Sequence, residues 1–139
     1  MSETNREKAF RWMEGIWNQR QFDVIDELFA PNGVGHHEGM ETHDVESMHH
    51  FVAGILEAFP DIRVEVDHAI EEGDHVVVRW TAHGTHIGNN LGVPATEAEV
   101  SFSGMTWMTF DDNGQICEGW DSWNQGALIQ QLAQAALVR

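Results

Sequence analysis

The chain has 139 residues, which makes one ordinary domain and not comfortably two. Hydrophobic residues are 42% and charged residues 22%, close to globular averages, which excludes disorder and collagen-like repeats. Seven Lys and Arg against 23 Asp and Glu leave a formal net charge of −16, which repels phosphate backbones and anionic lipid heads, so neither nucleic acid nor a membrane is expected as partner.

The first expected helix carries Ala9, Phe10, Met13, Ile16 and Trp17 in one apolar stripe, with Thr4 or Asn5 as cap and Glu7 in its first turn. A second, short helix is expected from Phe22 to Phe29, stopped by Pro31, and Asn32-Gly33 then turns the chain into an extended piece, Val34 to Glu38. The third helix starts near Asp44, buries Met48, Phe51, Val52, Ile55, Leu56 and Phe59, and ends before Pro60. After this point the period changes to two. Ile62 to Asp67 reads as a half-buried strand, Glu72-Gly73-Asp74 as a turn, and His75 to His86 as a long strand. A loop shaped by Gly88, Gly92 and Pro94 leads to a strand from Val100 to Phe110, a hairpin turn at Asp112-Asn113-Gly114, and its partner from Ile116 to Trp123. An apolar helix from Ala127 to Val138 closes the chain.

Helices first and a strand meander afterwards imply an α+β fold: one domain over 1–139, a cone in which three helices pack on a curved mixed β-sheet, with a short C-terminal helix. The strands from 100 to 123 are apolar on both faces, so one face lines a pocket or core and the other is expected to meet a second subunit in a homodimer. The opening MSETNREKAF has no basic stretch leading into an apolar one, and no apolar run approaches the roughly 20 residues that span a bilayer. Cys117 is the only cysteine, which precludes an internal disulfide. A soluble, cytoplasmic domain is expected.

Several chemistries find no support in the residues. The adjacent pairs His36-His37 and His49-His50 point in different directions and lack the i, i+3 or i, i+4 spacing of helical metal ligands, so no metal is expected. No Gly-x-Ser-x-Gly elbow is present, and Cys117 reads as a small buried residue. The exception is Gly119-Trp120-Asp121-Ser122-Trp123, which sets a carboxylate between two tryptophans in an apolar strand. Burying such a group is costly unless it is bonded or useful. Apolar surroundings favour the protonated form of a carboxyl, which suits it to proton transfer near neutral pH. The alternative is a structural Asp121, facing solvent or paired with Arg79. Six tryptophans are many for one small domain, and suit either a core or a cavity for a flat apolar molecule.

Ala58-Phe59-Pro60-Asp61, Gly73-Asp74, Gly84-Thr85-His86-Ile87-Gly88 and Leu91-Gly92-Val93-Pro94-Ala95-Thr96 occur in an order shared with one family. Ser101-Phe102-Ser103-Gly104, Asn113-Gly114-Gln115-Ile116 and Gln130-Gln131-Leu132 extend the match. Over about 110 residues the chain resembles a SnoaL-like polyketide cyclase, of the nuclear-transport-factor-like fold superfamily. The resemblance implies a cone with a deep pocket and a cofactor-free intramolecular aldol cyclisation, or a related enolate-forming isomerisation, of a hydrophobic carbonyl compound. It places the acid/base aspartate five residues after Ile116, at Asp121, and puts Trp17 and Phe51 in the pocket lining. On the penultimate strand, where the family carries a Gln and a His, this chain has no His, and Thr106 takes that place. If the hairpin register follows the family, Thr106, Met108 and Trp123 face the ligand beside Asp121; a slip of one residue would turn Met105 and Trp107 inward instead. Ser103, Thr106, His83 or a Trp indole is expected to supply donors for the oxyanion. The superfamily also contains non-catalytic ligand binders, and that reading stands as the alternative.

Overall fold

The computed structural model describes residues 3–137; Met1, Ser2, Val138 and Arg139 lie outside them. Helix α1 (Asn5–Trp17) begins at Thr4, whose hydroxyl accepts from the Glu7 amide while the Glu7 carboxylate accepts from the Thr4 amide. This capping box satisfies two N–H groups that the helix start leaves unbonded. Its buried stripe is Ala9, Trp12, Met13 and Ile16; Phe10, expected among them, is on the exposed side. The short α2 (Asp23–Leu28) buries Val24, Ile25 and Leu28.

Strand β1 (Phe29–His37) starts well before the expected extended segment. Phe29 is its first residue, and Pro31 lies inside the strand instead of terminating α2. A register shift between Phe29 and Val34 explains why: a proline cannot donate to a ladder, and a bulge removes the need. The three-residue β2 (Met40–Thr42) folds back on β1, and α3 (Val45–Ala58) follows with a reciprocal Asp44–Ser47 cap.

The remaining strands are β3 (Arg63–Glu72), β4 (His75–Thr85), β5 (Glu99–Phe110) and β6 (Ile116–Trp123), and α4 (Gln125–Leu137) ends the fold. They form one six-stranded curved sheet in the order β2-β1-β6-β5-β4-β3, antiparallel except where β1 runs parallel to β6. That parallel contact joins the first part of the chain to the last hairpin, and it decides the site.

Four helices pack on this sheet, and the core between the layers includes Ile16, Ile25, Phe29, Phe59, Val76, Val78 and Met108. Gly104 shows how closely the layers meet. A Cβ there would sit 2.5 Å from Trp123 Cβ and 2.7 Å from the Ser122 carbonyl oxygen, so the β5–β6 contact requires a residue without a side chain at this point. Cys117 is half-buried, not fully buried, and its thiol donates to the Thr109 carbonyl oxygen at 3.4 Å. Burial, with the Asp111 charge second, pushes the thiol above its ordinary value, away from reactive thiolate character. Among the described residues, no helix is long and apolar enough to cross a membrane.

Candidate active site

Period two along β5 and β6, together with their hairpin, sets one row of side chains inward. Thr106 stands directly opposite Asp121, Met108 opposite Gly119 and Gly104 opposite Trp123. Met105 and Trp107 are on the outer face, 52% and 48% exposed, so the one-residue slip does not occur. The inward row borders a cavity of about 120 Å³ whose walls include Trp17, Phe51, Thr106, Met108, Asp121 and Trp123, with Trp12, Met13 and Val52 from the helices.

Asp121 is held by two donors from two neighbouring strands. The Thr106 hydroxyl donates to Asp121 Oδ1 at 2.7 Å, and the Trp80 indole N–H donates to Thr106 Oγ1 at 3.0 Å. An indole nitrogen only donates, so this chain of bonds has one direction: Trp80 engages the hydroxyl oxygen, and the hydroxyl hydrogen is left for Asp121. On the other side, Asp121 Oδ2 lies 2.7 Å from His37 Nδ1. The His37 side chain is only 4% exposed; its Nε2 is 3.1 Å from Thr42 Oγ1, and its ring stacks on Phe51 with centroids 3.8 Å apart. Thr42 is fully buried. With Nδ1–H donating to Asp121 and Nε2 accepting from Thr42, every polar atom of this cluster has a partner.

The parallel β1–β6 pairing explains why His37, and not its neighbour, arrives here. Gly35 pairs with Gly119 and His36 with Trp120, so the next residue, His37, falls level with Asp121. Alternation turns His36 to the outer face, where it stacks on Trp120 and lies within 2.7 Å of both Glu118 and Glu41. Hydrogen bonding to Glu118, and then to Glu41, holds the His36 imidazole above its ordinary value. Gly35 makes room for the inner pair: a Cβ there would meet Thr42 Oγ1 at 2.5 Å and His37 Nε2 at 2.8 Å.

The sequence profile of the SnoaL-like polyketide cyclases matches residues 7–132. The chain belongs to the SnoaL-like polyketide cyclase family. AclR from Streptomyces galilaeus, provisionally described as a hydroxylase, is 30% identical over 94% of this chain and 96% of its own, with a TM-score of 0.81. A protein of Jannaschia sp. CCS1, provisionally described as a SnoaL-like polyketide cyclase, is 26% identical over 95% of this chain and 96% of its own, with a TM-score of 0.85. IdmH from Streptomyces antibioticus, provisionally described as a polyketide cyclase, is 25% identical over 94% of this chain and 99% of its own, with a TM-score of 0.81. No curated protein matches the chain.

Within the SnoaL-like fold, the structure separates the expected site residues from the others. Trp17, Phe51, Thr106, Met108 and Trp123 surround the same cavity as Asp121. Arg79 does not pair with Asp121; it sits opposite Met105, whose side chain is on the outer face. Ser103 is exposed, and His83 is half exposed and lies 3.9 Å from Glu65, so neither borders the cavity as an oxyanion donor. Trp80 and Thr106 spend their hydrogens within the cluster, and Trp12, Trp17 and Trp123 also stand among the cavity walls. The residue that sequence reasoning missed is His37. Its one local signal was the doubled histidine in an extended segment, where alternation must send one ring to each face.

Proposed function

We propose that this SnoaL-like protein is a cofactor-free enzyme that moves a proton at the carbon next to the carbonyl of a hydrophobic compound. Intramolecular aldol ring closure or a related isomerisation follows from the enolate so formed. The observation that carries this reading is a single carboxylate among apolar walls, held by Thr106 on one oxygen and His37 on the other. A carboxylate has about four acceptor positions, of which these bonds use two, so Asp121 keeps lone pairs for a substrate C–H. Thr106 and His37 restrict its rotation, which is what a base needs to meet one carbon in a near-attack geometry. An indole N–H from Trp12, Trp17 or Trp123 among the walls is the donor this reading assigns to the developing oxyanion.

His37 adds a second place for the proton. The Asp121–His37 pair shares one hydrogen over 2.7 Å, and a proton taken from the substrate is accommodated by the two groups together until it is returned at another position. A histidine from β1 thereby stands beside the carboxylate in a chain that has no histidine on the penultimate strand. Thr106 in that strand position is the observation that favours the second reading, a ligand-binding protein without a reaction. The two are distinguished by following solvent deuterium into cyclohexanone by proton NMR. Exchange well above the buffer rate is expected; saturable binding with exchange at the buffer rate would establish the binder and end the enzyme reading.

We also propose that the protein is a homodimer working in the cytoplasm, joined through the outer faces of β5 and β6. Met105, Trp107 and Trp120 leave 52%, 48% and 38% of their surface exposed there, and the two indoles lie against each other with centroids 5.8 Å apart. Such a large aromatic patch is characteristic of an interface. Light scattering is expected to give twice the chain mass for the parent and the single-chain mass for Trp107→Glu. A parent that elutes as a monomer at micromolar concentration would remove the proposal.

A further inference from the structure

A second, larger space of about 810 Å³ adjoins the Asp121 chamber, bounded by α3, the 86–98 loop and α4. The two spaces share Phe51, Leu91, Trp123 and Leu128 as walls, so they are successive parts of one cleft. Their sizes constrain what fits. A cavity of roughly 150 Å³ accepts one benzene, so the inner 120 Å³ has room for no more than about one small ring. The outer space alone falls within the roughly 300–1,000 Å³ of a complete small-molecule site.

The outer walls are mostly apolar, with Glu38, His50, Asn90 and Gln125 among them. Leu128 and Leu132, both nearly inaccessible, hold α4 to the fold, while Ile129, Ala133 and Ala136 of the same helix border the space at i, i+4, i+7 spacing. Ile129 of α4 and Val93 of the loop, which both border the space, leave 61% and 41% of their surface to water. The loop is tied at both levels. His86 and Ala98 bond through the backbone at 2.9 Å, and Asn90 Nδ2 donates to the Gly54 carbonyl at 2.9 Å. At Gly88 a Cβ would come within 2.4 Å of the Glu57 carbonyl oxygen, so the loop lies directly on the end of α3. Glu38 borders the same space, and the chain's net charge of −16 opposes any anionic group there.

We propose that the substrate is a neutral ketone of two parts, with a head of about one ring beside Asp121 and an apolar tail between α3 and α4. The carbonyl in this statement rests on the proposed function; the tail does not. The test is tryptophan-fluorescence titration with cyclohexanone and its 4-propyl, 4-pentyl and 4-heptyl derivatives. Each methylene moved from water into an apolar site is expected to tighten binding about fourfold, so the step from propyl to heptyl is worth roughly two orders of magnitude. Ile129→Asp, an exposed position, is expected to flatten the series while cyclohexanone itself binds as before. Ala133→Trp, which fills the space with apolar bulk, is expected to do the same. A flat series in the parent, or an unchanged slope in both variants, would overturn the tail site. Asp121→Asn separates the two proposals. Lost exchange in this variant with an intact length dependence leaves the tail site standing, whereas a parent that exchanges cyclohexanone normally but gives a flat series removes the tail site alone.

Discussion

Asp121→Asn is expected to fold like the parent and to lose deuterium exchange into cyclohexanone by about 10²–10⁴-fold, the usual contribution of a positioned acid/base group. The substitution keeps shape and removes basicity. The new amide's carbonyl oxygen still accepts from the Thr106 hydroxyl, which in turn still accepts from the Trp80 indole. Its NH₂ group now donates toward His37 Nδ1, and the imidazole answers by moving its hydrogen to Nε2, where Thr42 Oγ1 can accept it. No buried polar atom is orphaned, so denaturant midpoints are expected to agree closely. An Asp121→Asn variant with the parent's exchange rate and stability would remove Asp121 from the chemistry.

The second large effect belongs to His37. His37→Leu leaves the fully buried Thr42 hydroxyl and one oxygen of Asp121 without their partner, and an unsatisfied buried group costs about 1–3 kcal/mol. Urea unfolding is expected to register a loss of that size, together with a fall in exchange of about tenfold or more. Stability alone does not separate a structural role from a chemical one. His37→Asn does, because its amide can still reach toward Asp121 but cannot carry the proton. It is expected to recover most of the stability while the exchange rate stays at the level of His37→Leu. A His37→Asn variant that recovers exchange along with stability would reduce His37 to a structural support.

How far the amino-acid order alone reaches can be judged from these same residues. The helix starts at Thr4 and Asp44, the changes of period, and the hairpin around Asn113-Gly114 are local matters of capping, periodicity and turn chemistry, and the structure agrees with each within a few residues. The β5–β6 register follows from that hairpin, because a short connection between antiparallel strands leaves few pairings, and it brings Thr106 level with Asp121. Even there, local reading misplaced Phe10, which helical spacing could not distinguish from its buried neighbours. It also mistook Pro31 for a helix stop, because only the bulge opposite β6 makes a proline acceptable inside β1.

The partnership of His37 with Asp121 was beyond local reading altogether. The two residues are 84 positions apart, and they meet because β1 runs parallel to β6. No turn connects those strands, so their relative register is set by how α1, α3 and the sheet pack together. Alternation along β1 settles that His36 and His37 point to opposite faces, but only packing settles which of them faces inward. The same holds for the cleft: apolar stripes on α3 and α4 are visible in the sequence, whereas the space left between them is a property of the assembled layers.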